Sequence, residues 1–175
     1  MMARALACPM PGSCISSASV EAPASEFTPL PDYERFITPI TGSMTLTRGT
    51  DAPLVLRSYD ILAFDGADPV HSEGVCTDFN LMLRKGKAFG RMDAVELDSE
   101  PRPLPLLPGI RELLLWCPDA DVRIVTGHSE ILLPAGRHLI AENIVTLKLS
   151  ACSLSPARLL LAQAGAADTM LESRS

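Results

Sequence analysis

Three histidines, His71, His128 and His138, are all that this chain of 175 residues carries. No two stand at the HxH or HExxH spacing that brings two imidazoles to one metal, so no metal and no cofactor are expected. Basic residues are also short: 15 Lys and Arg against 21 Asp and Glu leave a formal net charge of −6. A phosphate backbone repels such a surface, and no basic stripe with interleaved aromatics offsets it, so nucleic acid is not an expected partner. The GxSxG, GxxxxGK[ST] and GxGxxG patterns are missing, and with them the common routes to nucleophilic catalysis and to phosphate or dinucleotide binding. No uninterrupted apolar run has membrane-spanning length, so no membrane partner is expected either. "RALAC" resembles a lipoprotein processing site, but no long apolar stretch precedes Cys8, which argues against a signal peptide. Cys8, Cys14, Cys76, Cys117 and Cys152 contain no CxxC, and an odd number cannot all pair within one chain. Small thiols in a reducing cytoplasm are the expectation, and Cys76 has no evident histidine partner that would make it a nucleophile.

What is present is the composition of an ordinary globular domain, 47% hydrophobic and 21% charged, long enough to bury a real core. Fifteen prolines and eleven glycines cut it into short runs rich in Ile, Val, Leu, Thr and Phe, the pattern of an all-β sandwich or barrel. "CISSASV" (14–20) alternates as a half-buried strand does. "FITPITGSMTLT" (36–47) reads as a hairpin turning at Gly42. Strands are also expected in 59–66, 75–83 and 90–97 and, after the proline-rich link 99–109, in 110–117, 121–127, 144–150 and 158–163. A terminal helix competes for "SPARLLLAQAGAADTMLE", because Ser155 suits an N-cap and Pro156 a first helical position. "IRELLLWC" also has the length for a helix.

The most informative stretch is "TDFNLMLRKG" (77–86). Side chains alternate along a strand, so Phe79, Leu81 and Leu83 share one face while Asp78, Asn80, Met82 and Arg84 share the other. A second polar set is "PDYERF" (31–36), where Glu34 and Arg35 stand just before a strand. The guanidinium fork of Arg35 suits a carboxylate, from protein or ligand. The competing view of both sets is a solvated sheet face with an exposed ion pair, which contributes little. On the ligand-site view Phe79→Ala costs about 3–5 kcal/mol, and Asn80→Ala leaves stability nearly intact.

Taken in order, "ISSASVEAPASEFTPLPDYERFITPITGSMTLT" (15–47), "LAFDGADPV" (62–70), "TDFNLMLRKG" (77–86) and "LLPAGRHLI" (132–140) resemble the HutD/Ves family of bacterial proteins. The similarity divides the chain into a divergent or disordered start (1–14), a HutD/Ves-like domain (15–164) and a C-terminal tail (165–175). It implies a cupin (RmlC-like) β-barrel or jelly roll, with two cupin-like sheets in one bicupin-like chain. Family members typically begin with a tryptophan-bearing strand and an Asn-Gly-Gly loop. "MMARALACPMPGSC" has neither, and Ser13 and Cys14 replace an aromatic-Arg pair. On that ground residues 1–14 are expected to leave a sheet edge unpaired, which would favour association, such as a homodimer.

The resemblance also implies a function. HutD/Ves proteins are linked to histidine-utilisation operons or, in the Ves branch, to stress responses, and they lack the metal-binding histidines of metal-dependent cupins. The expected activity is non-catalytic binding of a small carboxylate, such as urocanate or a formylated glutamate, by a cytoplasmic regulatory protein. Arg35 would pair with the ligand carboxylate, Asn80 would exchange hydrogen bonds with it, and Asp78 would orient Arg35 or Asn80, since a carboxylate facing the ligand would repel it. The first alternative is a metal-independent cupin isomerase or lyase using Asp78 and His71 as acid–base pair. The second is a surface-acting structural or regulatory protein with no ligand.

Overall fold

A computed structural model describes residues 2–7, 12–20, 24–127 and 129–167. The expectations for Cys8, for His128 and for the tail beyond residue 167 lie outside them. Every regular element among the described residues is a strand, and no helix is long and apolar enough to cross a membrane. The chain divides into two compact units, Met1–Phe89 and Gly90–Ser175.

The first unit holds β1 (Met2–Ala7), β2 (Ser13–Val20), β3 (Ala24–Glu26), β4 (Tyr33–Arg48), β5 (Leu54–Arg57), β6 (Leu62–Asp65), β7 (Val70–Glu73) and β8 (Cys76–Arg84). They form one eight-stranded sheet ordered β1-β2-β8-β4-β7-β3, with β5 and β6 also paired to β4. β1 corrects the expectation for the start of the chain. Met2 to Ala7 pairs antiparallel with β2, with a register shift between Ala5 and Ala7, so the far edge of β2 is occupied. Ladder hydrogen bonds come from the backbone and need no particular side chain, which is why the missing tryptophan and glycine-rich loop did not reveal this strand.

β4 corrects a second expectation. Residues 36–47 are not a hairpin but the body of one 16-residue strand. Its first half pairs with β8 and β6, and its second half with β5 and β7. The change of partners comes at a register shift between Pro39 and Thr41, where a proline without an N–H is tolerated. Gly42 follows at φ 74°, and a Cβ there would meet the Val75 carbonyl at 2.6 Å. The glycine that looked like a turn instead bends a continuous strand. Below it, Ile37, Met44, Leu56, Phe64 and Val70 belong to the buried core of this unit.

The second unit carries β9 (Ala88–Leu97), β10 (Arg102–Pro103), β11 (Glu112–Cys117), β12 (Val122–Thr126), β13 (Ser129–Leu133), β14 (Arg137–Glu142), β15 (Lys148–Ala151) and β16 (Ala157–Ala166). Two four-stranded sheets result, β10-β15-β12-β13 and β14-β11-β16-β9. Leu113, Leu115, Ile124, Leu149, Leu159 and Leu161 are buried in one core cluster.

The helical alternative for the C-terminal segment is overturned. Residues 157–166 form β16, paired with β11 from Glu112↔Ala164 to Trp116↔Leu160. Leu159, Leu160, Leu161 and Ala162 are all buried, as a central strand covered on both faces requires, and that composition cannot be told from a buried helix by periodicity. Gln163 then pins the proline-rich link. Its Oε1 accepts from the Leu107 amide at 2.8 Å and its Nε2 donates to the Pro105 carbonyl at 3.3 Å.

Candidate functional site around Arg35

The antiparallel register of β4 and β8 sets Arg35 opposite Met82, Ile37 opposite Asn80 and Pro39 opposite Asp78. Alternation along the two strands therefore turns Arg35, Ile37, Asp78, Asn80 and Met82 to one face. On the other side of β4, Phe64 of β6 is the register partner of Arg35. Phe27 follows β3, its amide donating to the Val70 carbonyl at 2.9 Å. The guanidinium carbon of Arg35 lies 4.8 Å from the centroid of Phe27 and 5.1 Å from that of Phe64. The two rings are 6.3 Å apart and tilted by 36°.

Arg35, Asn80 and Asp78 are brought together as a hydrogen-bonded relay. Arg35 Nη2 donates to Asn80 Oδ1 at 3.3 Å, and Asn80 Nδ2 donates to Asp78 Oδ1 at 2.8 Å. All three are buried: 9% of Arg35, 6% of Asn80 and 1% of Asp78 remain exposed. Neither the solvated face nor the exposed ion pair considered from sequence describes them. Burial pushes the Arg35 guanidinium below its ordinary pKa, and the nearby Asp78 carboxylate pulls it back up. Arg35 Nε is buried without a hydrogen-bond partner. An interior donor on a cation with nothing to bond is costly, and an in-plane acceptor oxygen is the group that would satisfy it.

The opposite face of β8 is apolar, with Phe79, Leu81 and Leu83 at 0%, 0% and 1% exposure. β8 is thus buried on both faces, which the single alternation in its sequence did not predict. Cys76 shares the face of Asp78. Burial first, and the Asp78 charge second, push its thiol up to about 11, which leaves it a poor nucleophile.

His71 does not join Asp78. It stands on β7 opposite Thr47, whereas Asp78 stands opposite Pro39, in the other half of β4. The ring nitrogens of His71 face Glu26 Oε1 at 2.6 Å and Glu73 Oε1 at 3.4 Å. The acid–base pair behind the isomerase or lyase alternative therefore loses its geometric support. Among the described residues, no group of three or more His, Cys, Asp or Glu side chains could hold a metal ion.

A cavity of about 250 Å³ lies beside this site, lined by Leu46, Arg48, Leu54, Leu62, Phe64 and Val70 among others. Arg48 is held there by Asp51 at 2.9 Å. Arg35, Asn80 and Asp78 do not line this cavity; Phe64 is the residue it shares with them. Sequence reasoning missed Phe27 and Phe64 as partners of Arg35. Both stand in apolar contexts that read as core, and only the pairing of β6 with β4 reveals the contact.

Comparison with known proteins agrees with this architecture. The HutD family model matches residues 14–158. A conserved protein of unknown function from Pseudomonas aeruginosa PAO1 superposes with a TM-score of 0.76 at 23% identity, covering 89% of this chain and 83% of that one. HutD from Pseudomonas fluorescens SBW25, crystallised in a formate condition, gives 0.71 at 19% identity, with 89% and 79% covered. A cupin 2 conserved barrel domain protein from Leptotrichia buccalis gives 0.64 at 12% identity over 93% of this chain and 88% of that one. No curated protein matches the sequence. The fold is the all-β cupin jelly roll, and with four-fifths of its length matched by the family model, this chain belongs to the HutD family.

Proposed function

We propose that the protein binds a small carboxylate at Arg35 without transforming it and acts as a regulatory protein of histidine utilisation or, as in the Ves branch, of a stress response. The observation that carries this reading is the buried Arg35 guanidinium with an unpartnered Nε. Phe27 and Phe64 lie against the guanidinium and Asn80 takes one of its N–H groups, so the Nε–H, which lies in the guanidinium plane, is the donor left for a carboxylate oxygen. Asp78 is engaged by Asn80 and acts through it, holding the amide oriented toward Arg35 rather than meeting an anion directly. The operon association of the family makes urocanate and formylglutamate the first ligands to try.

Titration calorimetry with these two acids tests the reading. A charge-assisted hydrogen bond contributes roughly 1.5–3 kcal/mol, so Arg35→Met should weaken binding by about ten- to a hundred-fold, with circular dichroism confirming that the variant is folded. Equal affinity in the variant would remove Arg35 from the site. Absence of binding by either acid and by simpler carboxylates would favour a protein that acts through its surface.

A further inference from the structure

β3 is a three-residue strand at the end of its sheet, paired with β7. Ala24, Ser25 and Glu26 stand opposite Glu73, Ser72 and His71. Two main-chain acceptors secure the segment: Ser72 Oγ donates to the Ser25 carbonyl at 3.1 Å, and the Phe27 amide donates to the Val70 carbonyl at 2.9 Å. Phe27, the next residue after β3, lays its ring against the Arg35 guanidinium. The seating of this short segment therefore decides what covers Arg35.

The side-chain clasp on the segment is His71. Its Nδ1 is 2.6 Å from Glu26 Oε1 and its Nε2 is 3.4 Å from Glu73 Oε1. Both nitrogens face carboxylates, and only the imidazolium form carries an N–H on each. A neutral ring must turn a lone pair toward one of them. Glu26 of β3 and Glu73 of β7 are the charged groups that face the ring. On β4 the neighbour is Thr47, and the adjacent Arg48 is engaged by Asp51 and Asp68.

We propose that the segment Ala24–Phe27 is a clamp over Arg35 that protonated His71 holds closed, so that carboxylate binding weakens as the solution is made alkaline; the second half of this inference rests on the reading of Arg35 as the carboxylate site. The sign follows from linkage. Glu26 first, and Glu73 after it, raise the His71 pKa above its ordinary 6.5. The clasp is complete below the ordinary value and is lost as pH rises through the raised one. While it is closed, Phe27 lies against the guanidinium beside Phe64 and keeps water from that side of the cation. Opening admits water beside the cation and weakens each hydrogen bond it makes.

Amide hydrogen exchange of the full chain, followed by NMR from roughly pH 5.5 to 9 across the imidazole range, reads the clamp without a ligand. Calorimetry with acetate over the same range reads the site. In the wild type, protection of the Phe27 amide, corrected for base catalysis, should fall as His71 loses its proton. The acetate dissociation constant should rise by about two- to five-fold, the scale of exposed ion pairs. In Glu26→Gln both should be flat. Protection that ignores the His71 titration, or that falls equally in Glu26→Gln, overturns the clamp. Acetate bound equally on both sides of the titration overturns its control of the site. If acetate fails to bind at any pH while protection still follows His71, the clamp stands and the carboxylate reading falls.

Discussion

Replacing Asn80 by alanine tests the relay directly. On a solvated sheet face the change would be nearly neutral, and the ligand-site view taken from sequence likewise expects stability to stay nearly intact. Here the amide is 94% buried and bonded on both sides, to Arg35 Nη2 and to Asp78 Oδ1. Alanine removes both bonds, taking one acceptor from the Arg35 guanidinium and one donor from the Asp78 carboxylate, two charged groups of the interior. Each such loss costs about 1–3 kcal/mol, with charged groups at the upper end. The 3.3 Å bond is long and belongs at the lower end, whereas the 2.8 Å bond is well formed. The expected loss is about 2–5 kcal/mol, a fall in Tm on the order of 10 °C for a chain of this size. Urea unfolding followed by far-UV circular dichroism is the suitable assay, because every regular element among the described residues is a strand. The midpoint should fall with the slope unchanged. A loss below about 0.5 kcal/mol, the scale of an ordinary surface change, would mean that water replaces both bonds and that the buried relay does not exist in solution.

Other substitutions probe neighbouring parts of the same unit. Phe79→Ala truncates a side chain with 0% exposure and should cost about 3–5 kcal/mol in the same assay; a cost near zero would place that face of β8 in solvent. Gly42→Ala must accept φ 74° and a Cβ 2.6 Å from the Val75 carbonyl, so a loss of at least about 1–3 kcal/mol is expected, and a stabilised variant would show that β4 does not bend there. Arg35→Lys keeps the charge but loses the fork and with it the bond to Asn80 Oδ1, so Tm should fall by several degrees and calorimetry should find weaker carboxylate binding; an unchanged Tm would contradict the relay. With its thiol pushed up to about 11, Cys76 should resist iodoacetamide at about pH 8 while exposed Cys152 reacts, as mass spectrometry would show; rapid labelling of Cys76 would contradict its burial.

Much of the strand content was legible from alternation and from the prolines and glycines between the runs. "CISSASV" became β2 and "VCTDFNLML" became β8 because period-two patterning is a local property. Asp78 with Asn80, and Arg35 with Glu34, could be named as two polar sets, since residue type and spacing are written in the chain; their union in one site was implied by the family resemblance. What a local pattern does not contain is the identity of a strand's neighbours. Gly42 reads the same in a hairpin and in a bent strand, and the difference is fixed by β5 and β7 pairing with the second half of β4. The leucines of β16 suit a helix or a doubly covered strand, and pairing with β11 decides between them. The burial of Asn80 and the stacking of Phe27 and Phe64 on Arg35 likewise depend on contacts between residues distant in sequence. Sequence alone determined which chemistry the chain carries and the period of its strands. Tertiary structure alone decided which of those groups lose their water, because desolvation is a property of everything packed around a side chain and not of its neighbours in the chain.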